Sequence, residues 1–164
     1  MKVISSIEDA VASIGQELGV SSWKEVTQQR IDEFAAVTED EQWIHVDARR
    51  AQAESPYGTT IAHGFLTLAL IPALCKENYV VTNRKMGINY GMNKVRFLAP
   101  VVAGSRIRAR SHLLDVATAA EGTADLTVRH TVEIEGSDKP AAVVELIVRI
   151  IFATPEPQVA APTT

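Results

Sequence analysis

Cysteine is almost absent from this sequence of 164 residues, since Cys75 is the only one. A single thiol cannot form a disulfide within the chain, so the sequence carries no sign of an oxidising compartment. Cys75 lies in an apolar run, which indicates a buried core thiol rather than a nucleophile. We therefore expect the fold to depend on an apolar core, for which a hydrophobic content of 46% is ample.

An excess of positive charge and a long hydrophobic run are missing as well. The formal net charge is -4 and the pI is near 5.6, which excludes a general attraction to nucleic acid or to anionic lipid. The longest apolar run, Ile61 to Cys75, is shorter than the roughly 20 residues of a membrane helix and contains Pro72. Glu8 and Asp9 lie where a signal peptide would need its apolar core. We expect a cytoplasmic protein with neither a nucleic-acid nor a membrane partner.

Motifs for metals and for phosphate-bearing cofactors are also lacking. No group of His, Cys and carboxylate residues has the sequence spacing of metal ligands, and no glycine-rich phosphate loop is present. His112 and His130 fall within strand patterns, and we assign them no functional role. The sequence therefore predicts that the protein contains no metal and no cofactor.

The first half of the sequence has helical patterns with recognisable start signals. Ser6 can cap a first helix whose apolar periodicity extends to Leu18, and Thr27 can cap a second helix. Asp47 can cap a third, short helix. The run from Ile61 to Cys75 is apolar around its whole circumference, which predicts a helix that is buried on all sides.

The second half has the patterns of β-strands separated by Pro and Gly. One buried helix followed by long antiparallel strands favours the α+β class, in a hot-dog arrangement where a curved sheet wraps the helix. Such a sheet leaves an edge and an open side, so we expect a homodimer. We predict one domain at residues 1–154 and a disordered, proline-rich tail at 155–164. The predicted strands are Lys85 to Tyr90, Asn93 to Leu98, Arg106 to Val116, Ala124 to Glu135 and Ala141 to Phe152.

Asp40 and His45 are the candidate reactive pair, because an acid and an imidazole precede the apolar helix by a short distance. An uninterrupted helix would place the two side chains on different faces. Residues 41–44 must therefore form a turn if Asp40 and His45 are to act together. Taken alone, Asp40 is more typical of a turn or cap residue than of a catalytic acid. His45, taken alone, fits a structural hydrogen bond as well as it fits catalysis.

The sequence around these residues resembles the MaoC-like (R)-specific enoyl-CoA hydratases, and especially their NodN-like branch. The family motif reads roughly Ser/Thr-Gly-Asp-x-Asn-Pro-Leu-His, followed by a His-Gly at the start of the central helix, and the later Arg-Phe-x-x-Pro-Val turn is similar too. Glu39 stands where the family has glycine, and Gln42-Trp43 stands where it has Asn-Pro. The residues that fit the motif order are Thr38, Asp40, Ile44, His45, Asp47, His63 and Gly64.

The resemblance implies reversible addition of water across a trans-2-enoyl-CoA thioester, within fatty acid metabolism, with coenzyme A as part of the substrate. Asp40 and His45 would handle the water and its protons, and the N–H of Gly64 would bind the thioester oxygen. A hot-dog thioesterase and a non-catalytic acyl-binding subunit are the alternatives. Thioesterases known to us carry a carboxylate on the central helix, and the run from Ile61 to Cys75 has none.

Further candidates for substrate binding are less specific. His63 is expected to fix the start of the central helix or the loop that carries Tyr57. A polar and basic cluster on the strands after the helix is expected either to face the phosphates of the coenzyme or to be solvated strand ends. Its members are Asn89, Tyr90, Asn93, Lys94 and Arg96.

Overall fold

The computed structural model describes residues 1–153, which form five helices and eight strands. The predicted disordered tail at 155–164 lies outside the described residues. The helices are α1 (Ile7–Ala12), α2 (Gln28–Thr38), α3 (Trp43–Val46), α4 (Ala48–Glu54) and α5 (Gly64–Cys75). The strands are β1 (Lys2–Ile4), β2 (Glu17–Val20), β3 (Lys24–Glu25), β4 (Tyr79–Val81), β5 (Arg84–Phe97), β6 (Arg106–Ala120), β7 (Thr123–Ile134) and β8 (Ala142–Phe152).

The main sheet is antiparallel and has the strand order β2-β6-β7-β8-β5, with β3 also paired to β6. Helix α5 packs against one face of this sheet, and its buried side chains join those of β6, β7 and β8 in one core. Side chains on β7 alternate between the two faces of the sheet as predicted. Leu126 and Val128 are buried, whereas Arg129, the next residue along the strand, is exposed. The α+β class and the hot-dog arrangement are confirmed.

The predicted helix caps are confirmed at three positions. The Ser6 hydroxyl accepts from the N–H of Asp9, the Thr27 hydroxyl from Arg30, and the Asp47 carboxylate from Arg50. The predicted length of the first helix is wrong. Helix α1 ends at Ala12, because the chain turns to pair β2 with β6, and Leu18 is buried from a strand instead.

Two further predictions need correction on the central helix and the strand that follows. Helix α5 begins at Gly64 rather than at Ile61, which instead forms an isolated bridge with Val102. The two strands predicted on either side of Gly91 are one continuous strand, β5, because register shifts near Gly91 keep both halves paired with β8. A small parallel sheet of β1 and β4 was not predicted.

Helix α5 is not buried on all sides within one chain. Phe65, Ala69 and Pro72 recur at helical spacing and form an exposed stripe, and the Phe65 side chain is 70% exposed. Strand β5 beside this stripe is the last strand of the sheet, so one of its edges has no partner strand within residues 1–153. In the same part of the chain, no helix is long and apolar enough to cross a membrane.

Candidate active site

Asp40 and His45 meet at a turn between α2 and α3. Glu39 ends α2 in the left-handed conformation, with φ 60° and ψ 20°, and the chain reverses there before α3 begins at Trp43. A carboxylate oxygen of Asp40 and a ring nitrogen of His45 then lie within 4.8 Å of each other. Two hydrogen bonds of about 2.8 Å each to one water span about 4 to 5 Å, so this separation suits one shared water.

The ring of His45 is held in one orientation by a backbone carbonyl. Its Nδ1 lies 2.7 Å from the carbonyl oxygen of Ile61, and because a carbonyl only accepts, Nδ1 carries the proton. The neutral ring then has its lone pair on Nε2. Burial lowers the pKa of His45, and the nearby His63 lowers it further, against the raising effects of the Ile61 carbonyl and Asp40. His45 is therefore neutral near pH 7, with Nε2 ready to accept a proton.

His63 links both members of this pair. Its Nε2–H donates to the backbone carbonyl of Asp40 at 2.9 Å, and its ring stacks on the ring of His45 with centroids 3.7 Å apart. The side chain is only 2% exposed, and its Nδ1 has no hydrogen-bond partner within residues 1–153. His63 was predicted to fix the start of the central helix or the loop of Tyr57. Its side-chain hydrogen bond instead goes to the backbone of Asp40.

Two residues that were not predicted support the backbone of His45. Gln28, at the start of α2, donates its Nε2 to the His45 carbonyl at 2.8 Å, and the buried hydroxyl of Thr60 donates to Gln28 Oε1. The N–H of Ile61 donates to the carbonyl of Ile44 at 3.0 Å. No local sequence signal identifies Gln28, because its role depends on contacts between segments that are distant in sequence.

Asp40, His45 and His63 together form a group of potential metal ligands, because one ligand atom of each lies within 4.8 Å of the others. Sequence spacing did not reveal this group, since His63 arrives from the start of α5. The two stacked rings are inclined by 28°, so their in-plane lone pairs run side by side rather than converging on one ion. One nitrogen of each ring is also engaged with a backbone carbonyl. The absence of a metal stays a prediction.

The first turn of α5 faces this group through its N-cap residue, His63. No side chain caps the turn within the described residues, so its backbone N–H groups are available to a ligand. The space beside Gly64 is occupied by the ring of Phe97. A Cβ at position 64 would lie 2.9 Å from Phe97 Cζ, which is closer than such atoms approach. A side chain at position 64 would therefore require the Phe97 ring to move from its present position.

Two cavities meet at Phe97. An apolar groove of about 600 Å³ runs between α5 and β5, and its lining includes Phe65, Asn89 and Phe97. A smaller cavity of about 270 Å³ is lined by Gly64, Tyr57 and Phe97. Among the predicted substrate-binding residues, Tyr57 thus lies beside Gly64, and Asn89 lies in the groove.

The other predicted binding residues lie on the opposite face of the sheet. The Tyr90 ring lies under the guanidinium of Arg149, 3.7 Å from its carbon atom. Lys94 is opposite Glu145, whose carboxylate binds the outward-facing Arg129, and Arg96 is two residues further along the same face. Within one chain, the structure does not bring Tyr90, Lys94 or Arg96 to the Asp40–His45 site. Asn93 is exposed where the β5–β8 register shifts.

Cys75 is buried, as predicted, and takes part in a polar cluster beneath α5. Its Sγ lies 3.2 Å from His130 Nδ1, which is 3.0 Å from the Ser111 hydroxyl. Burial raises the pKa of Cys75 to about 11 and lowers the pKa of His130 to about 4. Both groups are therefore neutral near pH 7, and the high pKa of the thiol is that of an unreactive cysteine.

An antiparallel sheet on one central helix, with a carboxylate and an imidazole at the N-terminal end of that helix, defines a hot-dog protein with an acid–imidazole site. Residues 9–134 match the MaoC-like domain. The chain belongs to this family, the MaoC-like dehydratases, in agreement with the resemblance seen in its sequence.

Relatives of known name agree with this membership. The 3-hydroxyacyl-thioester dehydratase Z of Mycobacterium tuberculosis is 52% identical over 151 residues, which cover 92% of this chain and 99% of the relative. Nodulation protein N of Rhizobium leguminosarum is 45% identical over 148 residues, covering 90% and 92%. The solved structure of the R-hydratase PhaJ1 from Pseudomonas aeruginosa, unliganded, shares the fold with a TM-score of 0.62 at 23% identity, covering 92% and 91%.

Proposed function

We propose that this member of the MaoC-like dehydratases is an (R)-specific enoyl-CoA hydratase, which also acts as a (3R)-hydroxyacyl-CoA dehydratase in the reverse direction. One observation carries the proposal. The Asp40 carboxylate and the His45 ring lie within 4.8 Å of each other, and His45 has its Nδ1 occupied by the carbonyl of Ile61. The names of the relatives support the reaction class, since one is a 3-hydroxyacyl-thioester dehydratase and another an R-hydratase.

The two groups suit water because a carboxylate oxygen and a neutral imidazole nitrogen both accept hydrogen bonds. The carboxylate of Asp40 and the lone pair on His45 Nε2 each accept one O–H of the same water, which leaves an oxygen lone pair for attack on C3. As the O–C3 bond forms, the C2–C3 double bond opens and its electrons move to the thioester oxygen. The water proton passes to the Asp40–His45 pair and is then delivered to C2, so one water supplies both OH and H.

The thioester oxygen becomes negatively charged during this addition and needs a donor. We assign this role to the backbone N–H of Gly64, in the uncapped first turn of α5. The N–H points along the helix axis while the missing Cβ would point sideways toward Phe97. Close packing by Phe97 and hydrogen bonding by the N–H are therefore compatible. Tyr57 lines the cavity beside Gly64 and would contact the thioester or its carrier.

We also propose that the active form is a homodimer. The exposed stripe of Phe65, Ala69 and Pro72 borders the groove of about 600 Å³ and the free edge of β5, and a second copy would cover all three. The groove would then become an enclosed channel for the acyl chain. Light scattering coupled to gel filtration would show twice the monomer mass of 17.8 kDa, and a monomer at micromolar concentration would contradict the proposal.

Purified protein mixed with crotonyl-CoA tests the function directly. Hydration removes the conjugated double bond, so the ultraviolet absorbance of the enoyl thioester falls, and chiral chromatography of the hydrolysed product should show the (3R)-hydroxy acid. Longer enoyl-CoA chains are tested in parallel. A thiol reagent in the same reaction detects free coenzyme A.

The competing functions give different readings in this assay. Release of free thiol without hydration would identify a hot-dog thioesterase, although no acidic residue lies on α5 to serve one. Binding of acyl-CoA without loss of absorbance at any chain length would identify a non-catalytic acyl-binding subunit. Either result would contradict the proposed hydratase.

A further inference from the structure

Phe97 lies on Gly64 although it is not a core residue. Its ring atoms Cζ, Cε2 and Cδ2 are 2.9, 3.0 and 3.1 Å from the position of a Cβ on Gly64, while the side chain as a whole is 48% exposed. A half-exposed phenylalanine at the end of a strand is normally free to turn toward other neighbours. Its close packing on Gly64 therefore identifies a specific contact between the end of β5 and the first turn of α5.

A second aromatic ring lies beside Phe97. The Phe65 ring approaches it edge-on, with centroids 6.4 Å apart and planes inclined by 72°. Phe65 belongs to the exposed stripe of α5 and lines the apolar groove but not the smaller cavity. Phe97 lines both, so its ring separates the apolar groove from the cavity that contains Tyr57 and Gly64.

The boundary formed by Phe97 coincides with the proposed position of the thioester. A thioester oxygen bound to the N–H of Gly64 places the carbonyl carbon next to the same residue that the Phe97 ring contacts. If the acyl chain extends from this point into the apolar groove, which Phe97 lines, C2 would be the first atom of the chain beside the ring. A substituent on C2 would compete with Phe97 for space.

We propose that Phe97 determines specificity by excluding acyl thioesters that are branched at C2, and that Gly64 is a glycine in order to admit this ring. The proposal rests on the proposed hydratase function and on Gly64 as the oxyanion donor. The substrate class it defines is unbranched 2-enoyl thioesters, with 2-methyl-branched ones rejected. A pocket distinguishes ligands that differ by one methyl group by about 10- to 200-fold.

The test compares crotonyl-CoA with its 2-methyl derivative, tiglyl-CoA, in the wild type and in Phe97→Ala. The wild type should favour crotonyl-CoA, and Phe97→Ala should reduce this preference in kcat/KM by about 10-fold or more. Phe65→Ala is the matched control, since it removes the neighbouring ring without uncovering Gly64. It should leave the preference within about twofold of wild type. A preference that Phe97→Ala leaves unchanged, or that Phe65→Ala changes equally, would overturn the proposal.

The role of Gly64 is tested by rescue. Gly64→Ala keeps the backbone N–H but displaces the ring, so hydration of crotonyl-CoA should fall at least about 10-fold. Adding Phe97→Ala to Gly64→Ala removes the collision and should restore most of this activity. Thermal unfolding of each variant separates loss of fold from loss of turnover. Failure of the double variant to recover, with the fold intact, would show that the glycine serves the ligand instead of Phe97.

A binding measurement keeps this test separate from the proposed function. Titration calorimetry with butyryl-CoA and its 2-methyl derivative, 2-methylbutyryl-CoA, requires no turnover. If the wild type fails to hydrate crotonyl-CoA, the hydratase proposal is wrong, and the ratio of these two Kd values still tests Phe97. The ratio should approach one in Phe97→Ala and stay at the wild-type value in Phe65→Ala. Equal binding of both thioesters by the wild type would overturn the inference.

Discussion

His63 contacts Asp40 and His45 in two different ways. Its Nε2–H donates to the Asp40 backbone carbonyl at 2.9 Å, and its ring stacks on the His45 ring at 3.7 Å. The N-cap of the central helix thus fixes the loop that carries the acid and one face of the imidazole. Positional errors of about 1 Å at a reacting group can reduce turnover about 100-fold, so such a contact bears directly on catalysis.

Replacing His63 with phenylalanine tests this positioning role. Phe preserves an aromatic ring against His45 but cannot donate to the Asp40 carbonyl. We expect kcat to fall about 10- to 100-fold with a smaller change in KM, because the loop of Asp40 is released. The acid limb of the pH profile should move to higher pH, since His63 adds to the effect of burial in lowering the pKa of His45. An unchanged kcat together with an unchanged acid limb would show that His63 does not position Asp40 and His45.

Thr60 offers a test of the support beneath His45. Thr60→Val keeps the shape of the side chain but leaves Gln28 Oε1 without the hydroxyl that donates to it. A buried acceptor without its partner costs about 1–3 kcal/mol, so the free energy of unfolding in urea should fall by that amount. kcat should fall as well, because Gln28 also binds the His45 carbonyl. Thr59→Val is the control, and an equal loss in both variants would show that the effect is unspecific.

The backbone conformation of Glu39 indicates that a substitution at this position would stabilise the protein. The left-handed conformation at φ 60° costs a residue with a Cβ about 1–2 kcal/mol, and glycine avoids this cost. Glycine also increases the entropy of the unfolded chain, which opposes the gain by about 0.4–1 kcal/mol. We therefore expect Glu39→Gly to raise the free energy of unfolding by up to about 1 kcal/mol. Glu41→Gly, two residues on and without a positive φ, should not stabilise, and a gain there too would refute the backbone explanation.

Glu39 and its neighbours also show what the sequence predicts and what it does not. The pair of Asp40 and His45, the helix caps and the alternation of β7 follow from local patterns, and the structure contains them all. A turn was predicted at residues 41–44, whereas the chain reverses at Glu39, in an αL conformation that is unfavourable for a residue with a Cβ. The family resemblance indicated glycine at this position, and the conformation of Glu39 explains why glycine is suited to it.

Contacts between distant segments explain what the sequence missed. Gln28, Thr60 and Phe97 lie near the site only because α2, the segment before α5 and the end of β5 converge in space. No local spacing in the sequence predicts this convergence. The outward direction of Lys94 and Arg96 depends on the register shifts in β5, which move side chains relative to a simple alternation. The exposed stripe on α5 was missed because an all-apolar helix predicts burial without showing which chain provides it.

Burial of His130 should make the stability of the protein depend on pH. Burial lowers the pKa of His130 to about 4 from an ordinary 6.5, so folding favours the neutral form of the side chain. Between pH 6.5 and 4 the unfolded chain binds the proton while the folded chain does not, and stability is lost as the pH falls through this window. The shift corresponds to about 3 kcal/mol for this group. Cys75, with a pKa near 11, stays neutral throughout.

Urea unfolding of the wild type and of His130→Gln across this range checks the prediction. The variant should be less stable at pH 7, but its stability should fall less steeply from pH 6.5 to 4. His112→Gln is the matched control, because His112 is half-exposed on the other face of the sheet, near Glu17. Parallel curves for His130→Gln and the wild type would mean that His130 does not titrate as its burial requires.

The central claim is that Asp40 and His45 handle one water together, and substitution of each tests it most directly. Asp40→Asn and His45→Gln preserve size and much of the hydrogen bonding but remove a group that accepts a proton. The measurement is the steady-state rate of hydration of crotonyl-CoA, with folding verified by thermal unfolding. We predict that each variant loses at least about 100-fold in kcat, and that the double variant is little worse than either, because the two residues act as a unit. A folded single variant with a rate near that of the wild type would contradict the account.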